Sequence, residues 1–204
     1  MVEEIKFKSD EELYFSWYLE ELQEAGYIES WGYEISKFQL TEPHSRKYLK
    51  QMKTKVKEED EFLLHGSSIT ADFTIDWSKK ALNVFVADSS IPVVKIKELP
   101  FRLGEEGWED FLISYIEVKP IVEIQNSSVS FPYKQKFCLD RHGIYIQKIK
   151  PFDTKKKCLF SDTFFPKKVL ECQKYKVNCK GGKIGESKIK HKIVRTLKEF
   201  VDEI

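Results

Sequence analysis

Apolar residues recur at helical spacing from Phe15 through Tyr18, Leu19 and Leu22 to Ala25, bracketed by Ser9-Asp-Glu-Glu12 and by Gly26. Ser9 is a natural N-cap, Glu12 its capping-box partner three residues on, and Gly26 a natural stop, so the pattern predicts a first helix. Beyond it the period shifts towards two. Trp31 to Leu40 alternates enough for a strand or extended segment, His44 to Lys57 reads as a polar surface excursion, and Glu61 to His65 reads as a short strand. Gly66-Ser-Ser68 turns the chain into Ile69–Trp77, which places Asp72 on the face opposite Phe73 and Ile75. Asn83 to Ala87 predicts a third strand. Phe111 to Lys119 is the strongest one, with Tyr115, Glu117 and Lys119 assigned to one face and Ile113, Ile116 and Val118 to the other, and Pro120 stops it. A helix from about Pro132 to Gly143, a strand over Ile144–Ile149 and a short helix over Thr196–Ile204 complete the pattern.

Helices interleaved with strands predict an α/β (α+β) class, with a mixed central sheet flanked by helices. The 204 residues are 41% hydrophobic and 14% aromatic, enough for one sizeable core. No apolar run approaches the ~20 residues of a membrane span, and Met1-Val-Glu-Glu-Ile-Lys6 lacks the order of a signal peptide. A cytoplasmic protein without a membrane partner is expected. Cys138, Cys158, Cys172 and Cys179 are scattered, with no Cys-x-x-Cys, so reduced thiols are the default; zinc on Cys172, Cys179, His142 and His191 is disfavoured by the lack of a tight pair.

Charge changes the picture more than composition does. Residues 1–119 hold 15 Lys/Arg against 24 Asp/Glu, a net of −9, and residues 120–204 hold 19 against 9, a net of +10. An acidic half joined to a basic one suits a protein that brings a metal and a phosphate backbone together; the plainer reading is two halves that attract each other. The basic positions with most promise for phosphate are Lys134 and Lys136 on the later helix, and Lys155, Lys156, Lys157, Lys167 and Lys168 in the tail. Aromatics of Leu159–Pro166 lie among the latter and could stack on bases. His44 to Lys57 is also basic, but Glu58-Glu-Asp-Glu61 follows at once to neutralise it.

The chemistry centres on Asp72 and on Glu117-Val118-Lys119. A carboxylate and an ammonium two apart on an apolar strand share a face, and with an aspartate from another strand they make a cation site beside a lysine. The plainer reading of Glu117 and Lys119 is a surface pair worth about 0.5 kcal/mol. Asp76, four residues from Asp72, shares its face, and Asp88 is a further carboxylate at the end of the third strand.

Asp, a gap, then Glu-x-Lys resembles the motif of the PD-(D/E)XK nuclease superfamily, nearest in likeness to phage-type Holliday junction resolvases and related structure-specific endonucleases. The likeness spans roughly residues 9 to 150. Ala71 stands where a proline is usual in that family, and the 45 residues from Asp72 to Glu117 call for an insertion, at about 89–110. The resemblance implies a restriction-endonuclease-like core over 1–150 and a basic C-terminal extension over 151–204. It implies Mg²⁺ or Mn²⁺ held by Asp72, Glu117 and the carbonyl of Val118, with Lys119 activating water. Glu12 would complete the site, with Glu11 as an alternative nearer the centre of the helical stripe. The implied activity is hydrolysis of DNA, branched or duplex, in a bacterial or phage-infected cell. A homodimer would let two sites cut opposed strands, with Phe7, Trp17 and Trp31 as candidate interface positions. A transposon or phage DNA-end nuclease, and a DNA-binding or assembly protein of the same fold without turnover, are the competing expectations.

Overall fold

A computed structural model of the chain describes residues 5–87, 99–104, 112–119, 125–152, 158–171 and 194–204. It is a mixed α/β structure. The first helix, α1 (Asp10–Glu24), starts where Ser9 Oγ accepts the backbone N–H of Glu12 at 3.2 Å and ends at Gly26, whose φ of +75° only glycine takes without strain. Strands β1 (Ile28–Tyr33), β2 (Lys37–Thr41), β3 (His44–Gln51), β4 (Val56–Leu64), β5 (Ser67–Thr70) and β6 (Phe73–Trp77) follow, then β7 (Ile113–Val118), α2 (Gln125–His142) and β8 (Ile146–Ile149). Three short helices close the chain: α3 (Leu159–Asp162), α4 (Lys167–Glu171) and α5 (Leu197–Asp202).

The main sheet has the order β1-β6-β7-β8. β6 runs antiparallel to both β1 and β7, with Phe73 opposite Tyr33 on one side and Ile116 on the other, whereas β7 and β8 are parallel and joined through α2. Two small antiparallel ladders, β2/β5 and β3/β4, complete the strands.

Two clusters of buried side chains account for the order. Phe15, Tyr18, Leu19 and Leu22 of α1 are wholly buried against Phe73 and Ile75 of β6 and Ile116 of β7; side chains of this size contribute about 1.5–3 kcal/mol each. Leu40, Ile69, Tyr115, Phe131, Cys138 and Ile146 form the second cluster, between β7/β8, the β2/β5 ladder and α2. Arg141 Nη1 donates to the Leu40 carbonyl at 2.7 Å and Gln135 Nε2 to that of Ile146 at 2.6 Å, which fastens α2 to both strand systems.

Several expectations give way. Asn83–Ala87 is a turn, because Phe85 and Val86 are both wholly buried and a strand would send neighbours to opposite faces; Asn83 sits at φ +67° to allow it. Ile113 packs with Tyr115 in the second cluster, as the two-residue period requires, and not with Ile116. The helix expected from Pro132 begins at Gln125 and carries that proline inside it. Phe160, Phe164 and Phe165, expected to stack on bases, are wholly buried in the first cluster, where Phe164 stacks on Tyr18 at 4.4 Å between ring centres. Phe7, Trp17 and Trp31 pack half-buried against the same cluster. The expected insertion lies mostly outside the described residues, as do Asp88, Lys155, Lys156, Lys157, Cys172, Cys179 and His191.

Candidate active site

Asp72 stands one residue before β6, and the pairing of Phe73 with Ile116 brings it level with Glu117 on the neighbouring strand. The position is held by backbone on both sides. Its carbonyl accepts the N–H of Glu34 at 2.9 Å, and its carboxylate Oδ2 accepts the N–H of Val118 at 2.8 Å. The carbonyl of Val118 leaves the strand on the same side as that N–H, towards Asp72. Just past β7, the N–H of Lys119 donates to Ile149 at 2.9 Å, so the parallel ladder fixes the lysine too.

The side chains of Glu117 and Lys119 form a close ion pair, 13% and 15% exposed, with the ammonium 5.4 Å from the centre of the Phe131 ring. An ordinary surface pair is screened by water; this one is largely shut away from it. Glu12 enters from the first turn of α1 and is buried. Its Oε2 accepts the backbone N–H of Lys8 at 2.8 Å and the hydroxyl of Tyr33 at 2.6 Å, so its carboxylate reaches past the capping position to β1. Glu11, the alternative, is half-buried on the neighbouring turn position.

Electrostatics link the four. Burial pushes the Asp72 carboxyl up to about 7, the charges of Glu117 and Glu12 push the same way, and the Val118 N–H and Lys119 pull against them. Burial and the bond to Glu12 raise the Tyr33 hydroxyl as well. Lys8 is raised by its ion pair with Glu34 first, and it also lies in the field of Glu12 and Asp72. Asp72 thus lies in the field of two further carboxylates, Glu117 and Glu12, with Lys119 against them and Lys8 engaged by Glu34.

Oxygen donors with surplus negative charge suit a hard divalent cation. Among the described residues no three His, Cys, Asp or Glu side chains converge on one point. The reason is visible in the bonds: Glu117 is drawn to Lys119, and Glu12 is held by Tyr33 and the Lys8 backbone. Asp72, Glu117 and the Val118 carbonyl are the donors that could hold a metal here, with Glu12 beside them.

The other expected positions make contacts of their own. Asp76 is four residues along β6, roughly 13 Å away. Lys134 donates to the Ser68 carbonyl at 3.2 Å, and Lys136 is exposed on α2. Lys168 pairs with Glu20 at 2.5 Å and the backbone of Lys167 with Glu21 at 3.0 Å, at the end of α1 away from Glu12. Tyr33 and Lys8 escape a reading of the sequence, since only the pairing of β1 with β6 places Tyr33 beside Asp72. The chain matches no protein-family model, no curated protein and no solved structure.

Proposed function

We propose that the chain is a metal-dependent endonuclease hydrolysing phosphodiester bonds of DNA, on a restriction-endonuclease-like core made of α1, β1, β6, β7, α2 and β8. The observation that carries this reading is the level placement of Asp72 and Glu117 on adjacent strands, with the Val118 N–H on the Asp72 carboxylate and Lys119 next along the same strand. Branched DNA is the preferred substrate class, on the likeness of the motif to resolvases.

Asp72, Glu117 and the Val118 carbonyl would hold Mg²⁺ or Mn²⁺, which when bound polarises a phosphate and acidifies a bound water. The chain's own residues supply the rest. Asp72, its carboxyl raised to about 7 by burial and by Glu117, would ionise more readily with positive charge beside it. Lys119, beside Glu117 on the same strand, would orient the attacking water and offset charge gathering on the phosphoryl oxygens. Phe131 lies along one side of its ammonium and limits where it can swing. Tyr33 keeps the Glu12 carboxylate at the edge of the cluster.

The test is cleavage of labelled four-way junction, linear duplex and single-stranded DNA in Mg²⁺, Mn²⁺ or EDTA, with wild type beside Glu117→Gln and Lys119→Ala. Junction-selective, metal-dependent cutting that both substitutions reduce at least 100-fold, with binding kept, is the expected result. Cutting that survives the two substitutions together sinks the reading, and binding without any cutting points instead to a protein that holds DNA without turnover.

A further inference from the structure

The hairpin of β3 and β4 projects from the molecule. Among the described residues its strands pack on each other and on no other element beyond a marginal contact. All of β3 is exposed, and so is all of β4 except Glu59. Eight residues of paired strand, at about 3.4 Å each, give the arm a reach of roughly 27 Å.

Its two faces explain why it stays out. One face carries Arg46, Tyr48 and Lys50 beside Lys57, Glu59 and Glu61, laced by Arg46–Glu61 at 2.6 Å and Lys50–Glu59 at 3.1 Å. On the other, Leu49 lies opposite Glu58 and Val56 opposite Gln51. Exposed apolar side chains gather at the base, as Phe62, Leu63 and Leu64, while towards the tip Leu49 and Val56 stand among charged and polar partners, so no apolar strip runs the length of the arm.

Charge is sorted along its length. Residues 50–57 hold Lys50, Lys53, Lys55 and Lys57 and no acid, a net of +4. The remainder of 44–64 holds Arg46 and Lys47 against Glu58, Glu59, Asp60 and Glu61, a net of −2. The acids that neutralise the run in the sequence sit on the shaft, where Glu59 meets both Lys50 and Lys57, at 3.1 and 3.5 Å, so the positive charge of the tip rests on Lys53 and Lys55. Lys53 and Lys55 lie in the turn itself, closed by the N–H of Met52 donating to the Lys55 carbonyl at 2.8 Å, and both are exposed. The shaft is anchored through β5, which runs within two residues of Asp72.

We infer that this hairpin is a phosphate-gripping arm, its lysine tip seated on the backbone of duplex DNA at a distance from the carboxylate site. A two-stranded ribbon fits the major groove, and tip lysines that meet only phosphates bind without regard to sequence. The inference takes its polyanion from the nuclease reading.

The experiment measures binding of a labelled linear duplex in EDTA across a salt series, for wild type, Lys53→Ala/Lys55→Ala, Lys53→Arg/Lys55→Arg and Lys198→Ala, a lysine exposed on α5. Losing two phosphate contacts should weaken binding about tenfold and make the slope of log K against log salt shallower by about 2. The arginine pair and Lys198→Ala should bind as wild type does. A double alanine variant with unchanged affinity and slope overturns the inference. So does an absence of duplex binding by wild type, or a shift in sedimentation showing that the arm joins two copies. Melting of each variant checks the fold, and the arginine pair tests charge even if the alanine pair is unstable. Cutting of the same duplex is scored separately in Mg²⁺. Arm-dependent binding without cutting removes the nuclease reading alone, and cutting with arm-independent binding removes this inference alone.

Discussion

Asp72 is the residue in which function and stability pull hardest against each other. An aspartyl side chain ordinarily titrates near 4; raised to about 7, Asp72 keeps its proton in the folded chain over an interval in which the unfolded chain has lost it. The folded state then binds the extra proton, so the contribution of this group is full below about pH 4 and is lost as pH rises through 7. Asp72→Asn cannot ionise yet can still accept the Val118 N–H. Its lead over wild type in stability should be smallest at pH 4, where both side chains are neutral, and should grow by about 1–2 kcal/mol by pH 8 in EDTA, while it cuts DNA at least 100-fold more slowly. Thermal melting at the two pH values checks the first part: a gap that does not widen with pH means the carboxylate is not under repulsion. Tyr33→Phe removes the 2.6 Å bond to Glu12 and should cost about 1 kcal/mol or less, with cutting down roughly tenfold and DNA binding unchanged. Equal cutting would leave Glu12 a structural residue only, holding the Lys8 backbone and Tyr33. Much of this residue set could be read from the sequence, because Asp72 and the Glu-x-Lys stand on period-two strands and Glu12 follows a capping serine. Lys8 and Tyr33 could not, since neither residue carries a local signal and both depend on which strands pair.

At the scale of elements, local chemistry was legible where one residue type decides the geometry. Ser9 and Gly26 bound α1 as expected, and Gly143, at φ +70°, ends α2. The two kinds of glycine should separate in a melting experiment. A Cβ at Gly26 meets nothing within 4 Å, so Gly26→Ala should cost only the left-handed backbone, about 1 kcal/mol. A Cβ at Gly104 would lie 2.3 Å from the Tyr115 ring, on the strand that carries Glu117, so Gly104→Ala should cost about 2–3 kcal/mol and lower cutting as well. Equal melting points for the two would show that the ring moves aside freely. Illegible elements are those set by burial at long range. The alternation of Asn83 to Ala87 is that of a strand, yet two adjacent side chains are needed in the core. The hairpin's basic and acidic residues come in blocks, with no alternation of apolar and polar positions, so nothing in the one-dimensional pattern marks a pair of long strands.

At the scale of the whole molecule, the late segments complete a core that begins at the first helix. Phe160, Phe164 and Phe165 fill the space over Tyr18, and Phe200 meets Phe85 at 5.5 Å between ring centres. Their basic neighbours made the tail look like a surface in the sequence, because lysines on either side of a short aromatic run hide its burial. Phe164→Ala should cost about 3–5 kcal/mol, measured by chemical denaturation; a loss under 1 kcal/mol would mean the aromatic stack is dispensable. Tyr18 bonds to Thr163 across 145 residues of chain, and its stacking on Phe164 spans a comparable interval. Contacts of such separation are made late in folding, after long loops have closed. A chain still emerging from the ribosome can wind α1 and zip its hairpins, but its first cluster stays open until the last aromatics arrive. The carboxylates therefore wait on a core that only Phe160, Phe164, Phe165 and Phe200 complete, and a chain that has not yet reached them exposes Tyr18 and its neighbours to any chaperone that binds aromatic surface.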